Sequence, residues 1–202
     1  MIRITLLRHG HSEADELGVH EGRLDSALTP LGREQATQRA EAWHAQGRQF
    51  DRLFSSPLKR AKTCADILAE QLNLDVIVRD GLMERDNGVL AGLAFSESQH
   101  RYPKPDIVTP FQPYVVSAGN GESYTELSCR AALELQYLVR QGDGASLVVS
   151  HGAFLNAMMN VICGNQPRAN ESGLVFRLGD LAFIDTCYDA ATDTWIIECI
   201  NP

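Results

Sequence analysis

The regular alternation of short apolar runs with amphipathic stretches constrains the fold of this chain most strongly. The apolar runs have the length of buried strands, and the stretches between them place apolar residues three and four positions apart, as one face of a helix requires. Strands that alternate with helices form a mainly parallel sheet. The sequence therefore predicts an α/β fold, a three-layer sandwich whose mainly parallel central sheet is flanked by helices on both faces. The predicted strands are Ile2 to Leu7, Arg52 to Ser55, Val76 to Val78 and Ala145 to Ser150.

Helix-start and helix-end signals place four helices among these strands. A hydroxyl residue followed by proline, or by an acid three positions on, is typical of a helix N-terminus, and a glycine after the last apolar position is typical of its end. Three helices are predicted after Thr29-Pro30 (about 30–46), after Ser56-Pro57 and after Ser123 with Glu126, and a fourth covers about 153–163 before Gly164.

The C-terminal part of the chain returns to a strand pattern. Segments around Val175, Phe183 to Thr186 and Trp195 to Ile200 are apolar and rich in β-branched or aromatic residues, and Asp189 to Thr194 has the composition of a hairpin turn. We expect these segments to add strands to the sheet.

Length and composition predict one domain, residues 1–202. A chain of 202 residues with 44% hydrophobic content can bury a full core. Residues 100–121 are rich in proline, glycine and aromatic residues, and we interpret them as a loop insertion over the functional site. The formal net charge of −8 argues against an extended nucleic-acid-binding face, which would be basic.

The sequence is typical of a cytoplasmic protein that does not cross a membrane. It has no apolar run of membrane-spanning length and begins in a strand rather than in a secretory signal. Its five cysteines are odd in number, scattered and without zinc-site spacing, so we interpret them as reduced thiols. A monomer or homodimer is expected from base rates alone.

Two of the predicted strands end at a histidine followed by a glycine. The first strand runs into Arg8-His9-Gly10, and the strand that ends at position 150 is followed by His151 and Gly152. In open α/β sheets the ligand crevice lies at the carboxyl ends of the strands. We therefore expect both imidazoles to stand in one site.

These histidines and a few charged residues supply the groups that phosphate-ester hydrolysis needs. Arg8 and Arg60 can clamp phosphoryl oxygens, and a neutral His9 can attack phosphorus. His151 can stabilise the charge of the transition state, while Glu84 can protonate the leaving oxygen and then accept a proton from water. These five residues are the predicted catalytic residues. The scheme requires no metal ion and no other cofactor.

The order of these motifs resembles branch 1 of the histidine phosphatase superfamily, the phosphoglycerate-mutase-like family. The resemblance extends from Arg8 to about Gly164. It implies that the histidine of the Arg-His-Gly motif is the nucleophile and that the later Ser/Thr-His-Gly histidine is its partner. The motifs that carry it are Arg8-His9-Gly10, Ser55 to Arg60, Leu82-Met83-Glu84 with Gly88, and Ser150-His151-Gly152.

The same resemblance implies further contacts with the substrate. Gly22-Arg23 falls in a stretch similar to the family's first loop, and Arg85 falls in a stretch similar to its acid-bearing loop. The expected partner is a small-molecule phosphate ester. The candidate substrate-binding residues are Ser12, Asp15, Gly22, Arg23, Arg85 and Gly152.

Two positions depart from the family pattern. The family usually has Glu or Gln after the first-motif glycine and often Asn four residues further on, and here those positions hold His11 and Asp15. An ionised Asp15 about 4 Å from a phosphate would cost roughly 4 kcal/mol per unit charge at an effective dielectric constant near 20. We therefore expect Asp15 to turn away, to stay protonated or to be neutralised, and a pair between His11 and Asp15 is our hypothesis.

The leading functional hypothesis is a metal-independent phosphomonoesterase that hydrolyses a small phosphorylated metabolite through a phosphohistidine. Mutase-type phosphoryl transfer is the alternative, because residues 84–93 look like the mutase version of that loop. A mutase requires a strongly basic pocket, however, and residues 100–121 offer only Arg101 and Lys104. Hydrolysis is therefore favoured.

Two further functional classes stay open. A metal-dependent hydrolase would use His9, His11 and Asp15, although no later histidine cluster completes a ligand set. A catalytically inactive binding module could use the same fold. The identity of the substrate is not predicted; the aromatic residues Tyr102, Phe111, Tyr114 and Tyr124 are equally suited to contact an organic moiety or to pack within the insertion.

Overall fold

The computed structural model describes residues 1–167 and 173–201. The strands are β1 (Ile2–Arg8), β2 (Arg52–Ser55), β3 (Val76–Val78), β4 (Pro113–Val115), β5 (Asn120–Ser123), β6 (Gly144–Ser150), β7 (Phe183–Asp189) and β8 (Thr194–Asn201). The α-helices are α1 (Glu13–Leu17), α2 (Pro30–Ala45), α3 (Lys59–Leu72), α4 (Phe95–Arg101), α5 (Tyr124–Val139) and α6 (Gly152–Ile162). Short 3₁₀ turns cover Asp80–Leu82, Gly88–Leu90 and Val116–Ala118.

Six strands form the central sheet in the order β3-β2-β6-β1-β7-β8. The first four strands of that order run parallel, whereas β7 pairs antiparallel with β1, and β8 pairs antiparallel with β7. The strands of the parallel part are connected through helices. The predicted α/β fold with a mainly parallel sheet is confirmed.

Helices cover both faces of the sheet because its central strands are apolar on both sides. Successive side chains of a strand point to opposite faces. Ile4 and Leu6 of β1 and Val148 of β6 pack in a core with α5 and α6. Leu7 of β1 and Leu147 of β6 pack in a second core with α2 and α3. These continuous apolar runs are typical of buried parallel strands, and they produce the three layers.

Capping signals located two of the helices to within a residue. The side chain of Thr29 accepts a hydrogen bond from the backbone N–H of Gly32, and Pro30 is the first residue of α2. Ser123 and Glu126 form a reciprocal capping box at the start of α5. Each side chain satisfies a backbone N–H that the helix itself leaves without a partner.

The predicted start of α3 was wrong. The helix begins at Lys59, and its N-cap, Leu58, makes no capping hydrogen bond through its side chain. The Ser56 hydroxyl accepts a hydrogen bond from the Leu58 N–H and also contacts the His151 ring. The serine therefore belongs to the site rather than to the helix terminus.

The strand predicted around Val175 is absent from the part of the chain that the structure describes. The backbone there is paired with amide side chains of α6. Asn156 bonds both the N–H and the carbonyl of Phe176, and Asn160 donates to the carbonyl of Leu174. Because side-chain amides take the hydrogen bonds that a neighbouring strand would make, the segment is held against α6 without joining the sheet.

Residues 100–121 contain regular structure where the sequence predicts a loop. They include the end of α4, the strand β4, a 3₁₀ turn and the beginning of β5, and β4 pairs antiparallel with β5 in a separate two-stranded sheet. None of the described helices is long and apolar enough to cross a membrane.

Candidate active site

The site lies where β1 and β6 end side by side. These strands are parallel neighbours, and their register pairs Arg8 with Ser150. His9 follows Arg8 and His151 follows Ser150, so the two histidines leave the sheet side by side. Their ring centroids are 5.1 Å apart in an edge-on arrangement. The sheet thus places the two histidines together, as the sequence predicts.

His9 is held as one tautomer by the backbone. Its Nδ1 lies 2.7 Å from the carbonyl oxygen of Gly10, which can only accept, so Nδ1 carries the proton. Nε2 is left with a lone pair and accepts a hydrogen bond from Nε of Arg60 at 3.2 Å. The ring is 1% exposed. An imidazole in this state is a nucleophile aimed at the arginine side of the site.

His151 stands at the N-terminus of α6, fully buried. Its Nε2 lies 2.8 Å from the Ser56 hydroxyl. Its Nδ1 has no hydrogen-bond partner among the described residues. A buried ring nitrogen without a partner is costly, so a polar group that enters the site would stabilise this arrangement.

Burial keeps both histidines neutral. Desolvation is the largest cause that lowers the pKa of His9, followed by the positive charges of Arg60 and Arg8. Desolvation is also the largest cause that lowers the pKa of His151, followed by Arg60, His9 and Arg8. The two rings therefore remain uncharged at acidic pH values where an exposed histidine would already be protonated.

Arg60 is completely buried, in the first turn of α3. Besides His9, its guanidinium donates to the carbonyl oxygens of Leu24 at 2.7 Å and Gly22 at 2.9 Å. These bonds tie the loop between α1 and α2 to the site. The planar guanidinium is thus held in one orientation beside the nucleophilic nitrogen, where an anion would meet it.

Arg8 forms ion pairs with two carboxylates. Its guanidinium lies 3.6 Å from Asp15 and 3.3 Å from Asp180, and it donates to the carbonyl of Leu178. Asp15 is therefore neutralised by Arg8. Its other oxygen accepts from the backbone and hydroxyl of Ser12, as the acid of the capping box of α1.

The hypothesis of a His11–Asp15 pair is wrong. The Nδ1 of His11 instead lies 3.0 Å from the Thr29 hydroxyl, and the backbone N–H of His11 donates to Gln35. The His11 ring therefore contacts Thr29 at the start of α2, while Asp15 pairs with Arg8. Sequence proximity favoured the pair, but the capping geometry of two helices separates its members.

Glu84 lies against the N-terminus of α6. Its carboxylate accepts from the backbone N–H groups of Phe154 at 2.9 Å and Ala153 at 3.1 Å, and from that of Arg85 at 2.7 Å. A helix N-terminus carries partial positive charge and unsatisfied N–H donors, so it fixes this carboxylate beside His151.

Glu21 is a residue of the site that the sequence interpretation missed. One carboxylate oxygen lies 3.3 Å from Nε of Arg60, contacts the Ser12 hydroxyl and accepts from the Ser26 hydroxyl. The other oxygen lies 3.6 Å from Nε2 of His9. Only its position next to the Gly22-Arg23 motif could have singled it out, because no periodicity marks a loop residue.

The remaining candidate substrate contacts divide into two groups. Ser12, Asp15, Gly22 and Gly152 adjoin the arginines: the Gly22 carbonyl binds Arg60, and Gly152 lies beside Arg8. Arg23 instead is half-exposed, 3.5 Å from Asp86. Arg85 is buried; it donates to the Glu122 carbonyl, with its guanidinium 3.8 Å from the centre of the Tyr124 ring.

A cavity of about 460 Å³ lies beneath α4 and the small β4–β5 sheet. Tyr102 and Tyr124 line it, whereas Phe111 is 77% exposed and does not. The Tyr114 side chain lies outside the part of the chain that the structure describes. The full lining is His20, Leu90, Phe95, Ser98, Gln99, Tyr102, Pro103, Lys104, Pro105, Val108, Val115, Val116, Ser117 and Tyr124.

The residues proposed for a metal-dependent hydrolase do not converge. Among the described residues, no group of three or more His, Cys, Asp and Glu side chains has the arrangement of a metal site. His11 is bonded to Thr29, and a guanidinium, not an open position, faces Nε2 of His9. A cation at that nitrogen would meet the positive charge of Arg60.

Comparisons with known proteins identify the family of this chain. A family model described as histidine phosphatase superfamily (branch 1) matches residues 4–180. Phosphoserine phosphatase 1 of Hydrogenobacter thermophilus is 32% identical over 165 residues, 81% of this chain and 77% of the relative. A 2,3-bisphosphoglycerate-dependent phosphoglycerate mutase of Methylorubrum populi is 35% identical over 171 residues, 80% of this chain and 79% of the relative.

Solved structures share the fold. A mycobacterial glucosyl-3-phosphoglycerate phosphatase, solved with VO3, superposes with a TM-score of 0.82 at 23% identity, over all of this chain and 99% of that one. The family model covers most of the chain, and sequence relatives above 30% identity cover about four fifths of it. The chain therefore belongs to branch 1 of the histidine phosphatase superfamily, and phosphoric monoester hydrolysis is the activity class that this membership supports.

Proposed function

We propose that this chain is a metal-independent phosphomonoesterase that hydrolyses a small phosphorylated metabolite through a phosphohistidine at His9. The observation that carries the proposal is the state of His9. It is neutral and buried, Gly10 holds the proton on Nδ1, and the Nε2 lone pair faces the Arg60 guanidinium. A nucleophile and an anion-binding group are thus in direct contact.

The first half-reaction transfers the phosphoryl group to His9. Arg8 and Arg60 bind the phosphoryl oxygens, and Nε2 of His9 attacks phosphorus in line with the ester oxygen. As the N–P bond forms, the P–O ester bond breaks, and Glu84 in its protonated form gives its proton to the departing alkoxide. His151, beside His9, donates to a phosphoryl oxygen and offsets the developing charge.

The second half-reaction returns the enzyme to its starting state. Water takes the place of the alcohol and attacks phosphorus opposite His9, while Glu84, now ionised, accepts its proton. The N–P bond breaks and inorganic phosphate leaves. The backbone donors at the N-terminus of α6 support the ionised form of Glu84 during this step.

The charge state of the arginines outside the centre favours hydrolysis over mutase-type transfer. A mutase must bind the carboxylate of a phosphoglycerate and keep a second phosphate from water. Here Arg23 is paired with Asp86, Arg101 with Glu97, and Arg85 lies on Tyr124. The two carboxylates reduce the net positive charge that Arg23 and Arg101 offer to a phosphoglycerate, so water is the favoured acceptor of the phosphoryl group.

The substrate is expected to be a phosphate ester with an organic group that the cavity can hold. The cavity, about 460 Å³, has the size of a small-molecule site and mixes apolar, aromatic and polar residues. The named substrates of the relatives, phosphoserine and glucosyl-3-phosphoglycerate, are starting points for a screen. The five free cysteines fit a cytoplasmic location, since disulfides are rare in that compartment. The net charge of −8 fits a protein with no nucleic-acid partner, and a monomer or homodimer stays an expectation from base rates.

The test is hydrolysis of p-nitrophenyl phosphate in excess EDTA by the wild type and by His9→Ala. We expect activity that survives EDTA and is lost with His9. Activity abolished by EDTA, or retained by His9→Ala, would contradict the proposal. Adding 3-phosphoglycerate with 2,3-bisphosphoglycerate distinguishes the mutase, which would form 2-phosphoglycerate faster than inorganic phosphate.

A further inference from the structure

Glu21 places a negative carboxylate where a phosphate would have to bind. Its oxygens lie 3.3 Å from Nε of Arg60 and 3.6 Å from Nε2 of His9, the two atoms that would meet the phosphoryl group. A group bonded to Nε2 must pass beside the Glu21 oxygen. The ionised carboxylate would therefore repel a phosphate dianion at close range and compete with it for Arg60.

Both ends of this carboxyl group can be assigned from their neighbours. The oxygen near Arg60 is an acceptor, since the Ser26 hydroxyl donates to it and Nε of Arg60 lies 3.3 Å from it. The other oxygen faces the lone pair of His9 Nε2, because the His9 proton is on Nδ1. A proton on that second oxygen would turn a repulsive contact between two lone pairs into a donor aimed at the nucleophilic position.

We propose that Glu21 binds the transferred phosphoryl group as a neutral carboxylic acid, so that the enzyme takes up one proton when phosphate binds. The ionised form occupies the anion position instead, and it must be protonated before phosphate can enter. This inference rests on the proposed function and adds to it a phosphate-binding residue whose protonation selects the bound ligand.

The charged groups around Glu21 make this protonation accessible. Burial is the largest cause that raises the pKa of Glu21. The carboxylate of Asp15, on α1, raises it further, as does that of Glu84, which lies against the N-terminus of α6. Arg60 on α3 and the Ser12 hydroxyl act in the opposite direction. A phosphate dianion that binds beside these groups adds negative charge and raises this pKa again.

The experiment is calorimetric titration with inorganic phosphate between pH 5 and pH 8, on the wild type and Glu21→Gln. The amide has the shape of the neutral acid and cannot ionise. Dividing the wild-type Kd by the variant Kd cancels the titration of phosphate itself. Glu16→Gln, on an exposed face of α1, is the matched control and should follow the wild type. Thermal melting of each protein checks that the variants fold.

We expect the ratio of the two Kd values to rise by about tenfold per pH unit above the pKa of Glu21. Titrations in two buffers of different ionisation enthalpy should show that the wild type takes up close to one more proton than Glu21→Gln. A ratio that is constant with pH would overturn the inference, as would weaker binding by Glu21→Gln at every pH.

Two further outcomes separate this inference from the proposed function. A pH dependence that persists in Glu21→Gln and is lost in Asp15→Asn would assign the proton to Asp15 and overturn the role of Glu21. If phosphate binds and the ratio of the wild-type Kd to the Glu21→Gln Kd does not change with pH, the inference about Glu21 is contradicted and the proposed function is not. Failure of every form to bind phosphate would contradict the proposed function, and this inference with it.

Discussion

The two parts of the candidate site are built in different ways. At the ends of β1 and β6, three of the five candidate catalytic side chains are buried and tied to backbone groups: His9 to Gly10, Arg60 to two loop carbonyls, and Glu84 to the N-terminus of α6. The segment 88–123 instead consists of short turns, a seven-residue helix and a two-stranded sheet around a cavity. Under the proposed function, the sheet ends would carry out the chemistry, and the segment would select which ester is accepted.

The largest expected effect is that of Arg60→Ala, which tests whether the chemistry belongs to the sheet ends. We expect kcat to fall by about 10³- to 10⁵-fold, because the variant loses a charged donor at the transferred phosphoryl group. Arg60→Lys should recover only part of this loss, since an ammonium cannot reproduce the three contacts of the guanidinium. Steady-state kinetics with p-nitrophenyl phosphate measures both. A decrease in kcat of less than tenfold would remove Arg60 from the catalytic centre.

Glu84→Gln sharpens the comparison by separating proton transfer from phosphoryl binding. For an alkyl phosphate, whose leaving oxygen needs a proton, we expect kcat to fall by about 10²- to 10⁴-fold. For p-nitrophenyl phosphate the first step should change much less, because p-nitrophenolate leaves without a proton. The two substrates are compared under single-turnover conditions, which isolate that first step. Equal losses for both would contradict the assignment of Glu84 as the general acid.

Tyr102→Ala tests the other half of the comparison, the segment 88–123. The ring lines the cavity, so its loss should raise KM about tenfold for esters with a large organic group, with little change in kcat. Phe111→Ala is the matched control, because that ring is exposed and outside the cavity. Tyr102→Ala could instead lower kcat for p-nitrophenyl phosphate as strongly as it raises KM for the large esters. That result would contradict the assignment of substrate selection to the segment and of the chemistry to the sheet ends.

The smallest effect concerns stability at acidic pH. The pKa of His9 and that of His151 are lowered in the folded state by burial and by nearby arginines, so the unfolded chain binds more protons below about pH 6.5. The free energy of unfolding should therefore fall as the pH drops below that value, by up to about 1.4 kcal/mol per pH unit for each histidine.

Urea unfolding at several pH values measures this slope for the wild type and for His151→Gln, which should reduce it. His44→Gln replaces an exposed histidine and serves as the control. A slope that His44→Gln changes as much as His151→Gln does would show that burial at the site is not its source.

The sequence predicted the elements whose local signals agree with their tertiary surroundings. Apolar runs identified β1 and β6, and the caps at Thr29 and Ser123 located α2 and α5. Prediction was wrong at Val175 because the amides of Asn156 and Asn160 on α6, 20 and 14 residues earlier than their partners, bond the backbone there, and the strand-like composition does not record those contacts.

The candidate site was predictable where strand ends carry it and not where loops do. His9 and His151 follow strands, so the sheet alone brings them together. Glu21 lies in a loop that three-dimensional contacts with Arg60 draw into the site, and no spacing in the sequence records such a contact. For the same reason, the separation of His11 from Asp15 required the structure.

The most direct test of the central claim is to trap the phosphoenzyme and locate the phosphoryl group. The wild type is mixed with a ³²P-labelled phosphate ester in EDTA, quenched with alkali after milliseconds, digested and sequenced by mass spectrometry. We predict an alkali-stable, acid-labile phosphoryl group on His9 that forms and decays at rates consistent with turnover. Turnover without any phosphoenzyme, or a phosphoryl group on another residue, would contradict the account.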